Sequence, residues 1–332
     1  MNNVHDLQPT LDRAAAAVSS PPDESVIAQA LLGVEKCMMD LVNSDVEVLR
    51  DASRHIIGAG GKRVRPRLAL LAFFAAGGTS ADLKDVTAIA AAVELIHTAS
   101  VVHDDINDHG VLRRGRPSVN ALWGRTFALL TGDFLFTKVF ELIAPYGIYN
   151  TILAEATTAL VEGETLQASA VKNRQFTRET YYRIIGLKTA ALFRAAAMLG
   201  AKCSGASERD IQALGEFGFN IGLSFQIVDD VLDVVGSPEQ LGKTSGIDIA
   251  QGRGFAVAYE NENGQIVEHD DTAADPMISI RKDVLAGTAL EEARVQARRF
   301  VREAIEGISH LPESAARTEL MALAESVVER DF

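Results

Sequence analysis

Cysteine is nearly absent from this chain of 332 residues: only Cys37 and Cys203 occur. Two thiols in apolar helical sequence cannot form a disulfide framework, so a reducing cytoplasm is the expected setting. Aromatic residues are scarce as well, at 6%. With alanine and leucine abundant, that shortage favours helix over strand. Positive charge is in deficit, the formal net charge being −13. This excludes a general nucleic-acid binder, which needs a basic surface, but leaves a local phosphate site open. The first ten residues show no basic region followed by an apolar stretch, so no signal peptide is expected. An uninterrupted apolar run of about 18 residues is missing too, so no transmembrane helix is expected. Membrane contact is then at most transient. No Gly/Ser or Pro linker divides the chain, and no strong short-period repeat stands out.

What is present is helical periodicity from about residue 23 to the end. Pro21 and Pro22 suit a helix start, and Gly58-Ala59-Gly60-Gly61 ends the first helical region. A helix follows Pro66. Another runs from about Ala81 to His109, with Ser80 as its expected cap. Gly110 to Pro117 reads as a basic loop. Further helices are expected at about Val119–Ala144, Tyr149–Ala170, Thr177–Leu199, Ser207–Val235, Pro276–Ile308 and Ser314–Glu329. Glu260–Asp271 reads as a polar surface loop or flap. The expectation is all-α: one helical-bundle domain over residues 1–332 around a deep central cavity, with its core at about 25–330 and a flexible stretch at 1–20.

The pattern D-D-x-x-D occurs twice in apolar helical sequence, as Asp104-Asp105-Ile106-Asn107-Asp108 and as Asp229-Asp230-Val231-Leu232-Asp233. Residues four apart share a helix face, so Asp104 stacks over Asp108 and Asp229 over Asp233. Clustered carboxylates need neutralising, and Mg²⁺ arriving with substrate phosphates suits oxygen ligands. One such motif alone is more often a solvated acidic helix end. In the second copy, however, the apolar pattern continues through Val234 and Val235, and carboxylates inside such a helix need partners.

Basic groups accompany both clusters. His97 lies two turns before Asp104 on the same face. Arg113 and Arg114 follow in the loop, offering forks that grip diphosphate oxygens. Gln226 shares a face with Asp229 and Asp230, and Lys243 lies in a Gly-rich segment. Gly60-Gly61-Lys62-Arg63-Val64-Arg65-Pro66 sets basic side chains at a bend before a helix, a place suited to an anion. Lys188-Thr189 sits in an apolar helix, where a lysine either snorkels to water or meets phosphate. Taken singly, each basic group is as readily an ordinary surface or core residue.

In order along the chain, the Gly-Gly-Lys-Arg-Val-Arg-Pro segment, Glu94-Leu95-Ile96-His97, His103-Asp104-Asp105 with Asp108, Arg113-Arg114-Gly115, Lys188-Thr189-Ala190 and Phe225-Gln226-Ile227-Val228-Asp229-Asp230 with Asp233 resemble the trans-polyprenyl diphosphate synthases (the polyprenyl synthetase family). The resemblance runs from about residue 50 to about 250. It implies an all-α fold, usually homodimeric, that joins isopentenyl diphosphate head to tail to an allylic diphosphate with Mg²⁺. By position, Asp104 and Asp108, with Asp105 assisting, would hold Mg²⁺ on the allylic diphosphate. Asp229 would hold another from the opposite side, with Asp230 and Asp233 nearby. Arg113, Lys188, Thr189, Gln226 and Lys243 would contact the allylic substrate, and Lys62, Arg65, His97 and Arg114 isopentenyl diphosphate. Glu164 and Gln167 resemble a further motif beside the cavity.

In that family bulky residues just before the first acidic motif stop chain growth. Here Ala99 and Ser100 are small, which implies a medium- or long-chain product. A shorter farnesyl or geranylgeranyl product is the alternative, and Phe134, Phe136 and Phe140 are candidates for a deeper floor. A class I terpene cyclase and a non-catalytic synthase subunit fit less well, because both acidic motifs and the Lys62/Arg65 pair are kept. The family's usual proline after Lys243, and its later Lys-x-Thr-x-Pro run, are replaced by Thr244 and by Arg253-Gly254-Phe255-Ala256.

Overall fold

The structure is a computed structural model that describes residues 24–235, 251–255, 257–258 and 289–329. Lys243, the Glu260–Asp271 stretch and residues 276–288 of an expected helix lie outside the described residues.

Helices dominate: α1 (Glu24–Leu41), α2 (Glu47–Gly58), α3 (Val64–Ala75), α4 (Leu83–Asn107), α5 (Val119–Ile143), α6 (Tyr149–Lys172), α7 (Arg178–Ile185), α8 (Ala191–Cys203), α9 (Glu208–Val235), α10 (Ala289–Gly307) and α11 (Ala315–Val328). Starts follow local chemistry. Ser118, Thr177, Ser207 and Ser314 each accept a hydrogen bond from the backbone N–H three residues on, satisfying an otherwise orphaned donor. Ser80 does not cap α4. It opens a 3-10 turn, Ser80–Asp82, and no side chain caps the helix after it.

The loop expected at Gly110–Pro117 contains a minimal antiparallel ribbon, with β1 (Leu112–Arg113) against β2 (Arg116–Pro117). Three breaks escaped the periodicity. The first helical region is interrupted between Leu41 and Glu47. Helix α5 is kinked at Gly124, where φ is 79°. Between α7 and α8 the chain forms a π-helical turn, Gly186–Ala190, a distortion often found at functional sites.

Helix α4 is the axis, packed by α1, α3, α5 and α8, while α9 packs on α8 and α10. Leu68, Leu71, Phe73, Ile89, Leu95, Phe193 and Phe217 are almost wholly buried within one contiguous apolar core. Each such side chain contributes about 1.5–3 kcal/mol of burial. The stretches Ser80–Asn107 and Arg178–Cys203 are long and apolar enough to cross a membrane by length and composition. With 78% and 67% of their apolar windows covered by protein, they are core helices. On the carboxyl-terminal half of α4, His97, Ser100, Val101 and Asp104, with Asp108 just beyond, form a stripe that stays partly open. That stripe is one wall of the functional cleft.

Candidate active site

At one end of the stripe lies a basic bend. Gly60 and Gly61 have φ of 72° and 142°, and Arg63 adopts a left-handed φ of 46°. Such a backbone is strained for an arginine by about 1–2 kcal/mol and persists only when its surroundings impose it. Here they do. The buried Arg63 donates through Nη1 to Glu94 Oε1 (2.9 Å), through Nη2 to Ile57 O (2.8 Å) and through Nε to Glu35 Oε1 (3.3 Å). Glu94, on α4, is itself buried. The ion pair therefore fastens the bend to the helix that carries His97 and Asp104.

Two residues on, Arg65 is buried with its guanidinium 4.5 Å from the centre of the Phe193 ring. Among the described residues its Nε has no acceptor. Burial brings Arg65 down to about 10, opposed by Glu94 and Asp229. His97 is held well below the usual histidine value by burial and by Arg65, Arg114, Arg113 and Arg63, so its ring is neutral at physiological pH. Gly61 suits this bend because its φ of 142° is one that a residue with a side chain rarely adopts. Several cations thus gather around the single buried Glu94, and a buried arginine donor faces no partner. That is an anion site.

The other end is acidic. Asp104 and Asp108 open to the cleft, with Asp108 at the carboxyl end of α4. Asp105 points elsewhere: it is buried and accepts bonds from Arg113 Nε (3.0 Å) and Nη2 (2.5 Å), which hold the ribbon against α4. Across the cleft, the π turn presents Lys188 and Thr189. Lys188 Nζ lies 2.5 Å from Glu164 Oε1 and 3.9 Å from Asp104 Oδ2. Helix α6 comes this near because residue 163 is glycine; a β-carbon there would be 2.7 Å from Lys188 N. Burial, then the Asp104 charge, pushes Glu164 up to about 7 against the pull of Lys188.

Thr189 Oγ1 donates to Gln226 Oε1 (2.7 Å), and Gln226 Nε2 donates to Asp230 Oδ1 (2.8 Å). Asp229 is half-buried, whereas Asp230 and Asp233 are buried. Arg253 Nη2 donates to Asp108 Oδ2 at 2.9 Å, crossing from the segment after α9 to α4. The charge of Asp229 is felt by Arg65, so the second acidic helix lies near the basic bend.

Among the described residues no three acidic, histidine or cysteine side chains converge closely enough to cage a metal ion. The donor set nevertheless suits Mg²⁺, a hard cation that takes one or two carboxylates and completes its shell with water and substrate phosphate. Asp104 and Asp108 on α4 and Asp229 on α9 are the cleft-facing carboxylates that fit.

The structure therefore gathers Arg65, His97 and Arg114 at one end, and Asp104, Asp108, Lys188, Thr189 and Gln226 at the other, with Asp229 near enough to Arg65 for its charge to be felt there. Lys62 is exposed and lines a surface pocket with Arg67, Glu319 and Leu323 instead. Arg113 and Asp105 engage each other. Sequence reasoning gave no role to Arg63, Glu94 or Tyr181. A usable signal existed for Glu94, a lone carboxylate in the apolar run Ala90–Ile96, which must have a buried partner.

Similar proteins place this geometry in a class. The chain matches the polyprenyl synthetase family over residues 46–268. It is 39% identical to the short chain isoprenyl diphosphate synthase of Methanothermobacter thermautotrophicus, over 86% of this chain and 91% of that one. It is 32% identical to the octaprenyl diphosphate synthase of Escherichia coli, over 92% and 97%. The crystal structure of a decaprenyl diphosphate synthase from Rhodobacter capsulatus superimposes with a TM-score of 0.83 at 34% identity, covering 92% of this chain and 97% of that one. The fold is that of the all-α isoprenoid synthases. The chain belongs to the polyprenyl synthetase family, and it is a prenyltransferase.

Proposed function

We propose that this prenyltransferase condenses isopentenyl diphosphate with an allylic diphosphate, with Mg²⁺, to a medium- or long-chain all-trans product. One observation carries the reading: arginines gather around His97 at one end of the open stripe on α4, and the carboxylates Asp104 and Asp108 stand at its other end, with Asp229 of α9 near Arg65. Two diphosphates with different needs fit those two ends.

Breaking the allylic C–O bond creates a carbocation and a departing diphosphate. Bound Mg²⁺ supplies Lewis-acid stabilisation of that leaving group. Lys188 adds a positive charge, and Asp104, Asp108 and Asp229 would hold the Mg²⁺. At the basic end Arg65 and Arg114 clamp the second diphosphate, so that the double bond it carries meets the cation at close range. Neutral His97 offers a hydrogen bond there without adding charge. The buried apolar residues around α4 keep water from the cation. The proton lost at the end goes to the released diphosphate, as the family resemblance implies.

Product length rests on α4. Ser100 lies one turn before Asp104, and its Oγ donates back to His97 O at 2.8 Å. The wall it presents is small, and a growing chain passes. Ala99 is fully buried and acts by its small volume within the core. The relatives range from short-chain to nonaprenyl synthases, so wall geometry carries this part. A homodimer is proposed from the outer face of α5, where Leu122, Phe127, Leu129, Leu130 and Phe140 are exposed; apolar patches of this kind mark interaction sites. The scarcity of cysteine favours a cytoplasmic setting for a chain read as one domain.

The test is incubation of the pure protein with radiolabelled isopentenyl diphosphate, Mg²⁺ and allylic primers of several lengths, followed by chromatography of the dephosphorylated products. Products longer than geranylgeranyl are expected. No incorporation with any primer contradicts the activity, and a farnesyl or geranylgeranyl stop contradicts the length.

A further inference from the structure

Tyr181 lies on α7 and is 1% exposed. Its hydroxyl donates to Asp230 Oδ2 at 2.7 Å. The other carboxylate oxygen, Oδ1, takes the bond from Gln226 Nε2 at 2.8 Å, and Gln226 Oε1 takes the bond from Thr189 at 2.7 Å. Four side chains on three elements thus form one chain of donors and acceptors: Thr189 on the π turn, Gln226 and Asp230 on α9, and Tyr181 on α7. Tyr181, Lys188, Thr189, Gln226, Asp230 and Arg253 border a shared cavity of about 60 Å³.

We infer that Tyr181 is a positioning residue for the allylic end of the cleft, acting through Asp230 and Gln226 on Thr189 and on the neighbouring Asp229. The inference rests on the reading of that end given above. Its physical basis is a conflict of charge. Asp230 sits between Asp229 and Asp233 on one helix, and a buried carboxylate is stable only where donors hold it. Tyr181 and Gln226 donate to its two oxygens from two sides. The grip on Asp230 also fixes the Gln226 amide, with nitrogen toward the carboxylate and oxygen toward Thr189. Without the phenol one carboxylate oxygen loses this donor, Asp230 turns, and both Gln226 and the adjacent backbone of Asp229 lose their reference. The ring has a separate, structural task, packing edge-on against Phe255 (5.8 Å) and Tyr182 (5.5 Å). A phenylalanine keeps that packing and removes only the hydroxyl.

The test is a cycle of Tyr181→Phe, Thr189→Val and the double variant, with Thr189→Ser as the conservative control, in the full chain. Tyr181→Phe is expected to lower kcat about tenfold and to raise the Mg²⁺ concentration for half-activity, the range typical of lost groups that orient metal ligands. The KM for isopentenyl diphosphate and the melting temperature should stay within about twofold and about 2 °C of the parent protein. Tyr181 and Thr189 bond different groups, so independent roles would multiply their losses. The network predicts that the double variant is no worse than about twofold below the weaker single one, and that Thr189→Ser retains most activity. A Tyr181→Phe protein with unchanged kcat and metal dependence, or losses that multiply, overturns the inference while the parent enzyme remains active. A parent protein without Mg²⁺-dependent turnover overturns the inference and the proposed function together. If Tyr181→Phe does not fold, Gln226→Glu reads the same link: it must lower kcat and raise the Mg²⁺ requirement as Tyr181→Phe would, and parent-like behaviour overturns the inference.

Discussion

At the basic end of the cleft the protein supplies its own order. Arg63 holds a strained backbone through bonds to Glu94, Ile57 and Glu35, and Arg65 waits with an unmatched donor. At the acidic end, protein cations sit where substrate and metal charge are to act: Lys188 beside Asp104 and Glu164, and Arg253 on Asp108. One end is ready for an anion without rearrangement. The other must exchange ion pairs within the protein for contacts to a metal-diphosphate. A preorganised site binds its ligand without reorganisation cost, whereas a site with internal counter-ions binds only a ligand that brings its own cations.

Substitutions that strike one end and spare the other sharpen this contrast. The largest effect belongs to Asp104→Ala, expected to lower kcat by about a thousandfold or more while the KM for isopentenyl diphosphate stays nearly constant; steady-state kinetics on protein of parent-like circular dichroism would check this. At the opposite end, Glu94→Gln leaves the Arg63 charge buried beside a neutral amide. Breaking such a pair costs about 3–5 kcal/mol, measured by urea unfolding, and the KM for isopentenyl diphosphate should rise about tenfold or more. An equal effect on both substrates would erase the distinction between the ends.

Smaller effects probe the wall and the ion pairs. Ser100→Phe should shorten the product without abolishing turnover, because it fills the stripe one turn before Asp104; reversed-phase chromatography of the alcohols reads this directly. An unchanged chain length would move the floor elsewhere, toward Phe134 or Phe136. The smallest effect concerns Glu164, whose folded value of about 7 lies above its unfolded one. A raised carboxylate contributes most to stability below its unfolded pKa, and that contribution is lost as pH rises toward the folded value. In metal-free protein, the parent should lose stability relative to Glu164→Gln between about pH 4.5 and pH 7, on the order of a few degrees in Tm by calorimetry. Parallel curves would mean that Lys188 compensates Glu164 fully.

Much of this was legible in the chain, because helical periodicity survives burial. The long helices α4, α5, α6 and α9 begin and end within a few residues of their expected bounds, since apolar spacing and capping residues act locally. Ser80 misled, because the 3-10 turn it opens lets α4 begin at Leu83 without a side-chain cap. The π turn at Gly186–Ala190 left no local mark; it lies where α6 approaches closely at Gly163, a tertiary contact. The acidic motifs announced themselves, because carboxylates in apolar helix are costly. Helix spacing also put Asp104 and Asp108 on one face, but the partner of Asp105 stayed hidden. That Asp105 serves Arg113 and the ribbon, while Asp104 and Asp108 face the cleft, follows from the geometry of the helix end. Arg63 looked like one more member of a basic turn, and only its left-handed backbone and burial show it to be a fastening.

The central claim is that carboxylates from two helices hold one diphosphate through metal. Calorimetric titration of a non-hydrolysable allylic thiodiphosphate into the parent, Asp104→Ala and Asp229→Ala proteins, each with Mg²⁺ and with chelator, tests it most directly. Tight binding by the parent only with Mg²⁺, lost in both variants, is the predicted result. Binding that survives chelation, or that ignores either substitution, would contradict it.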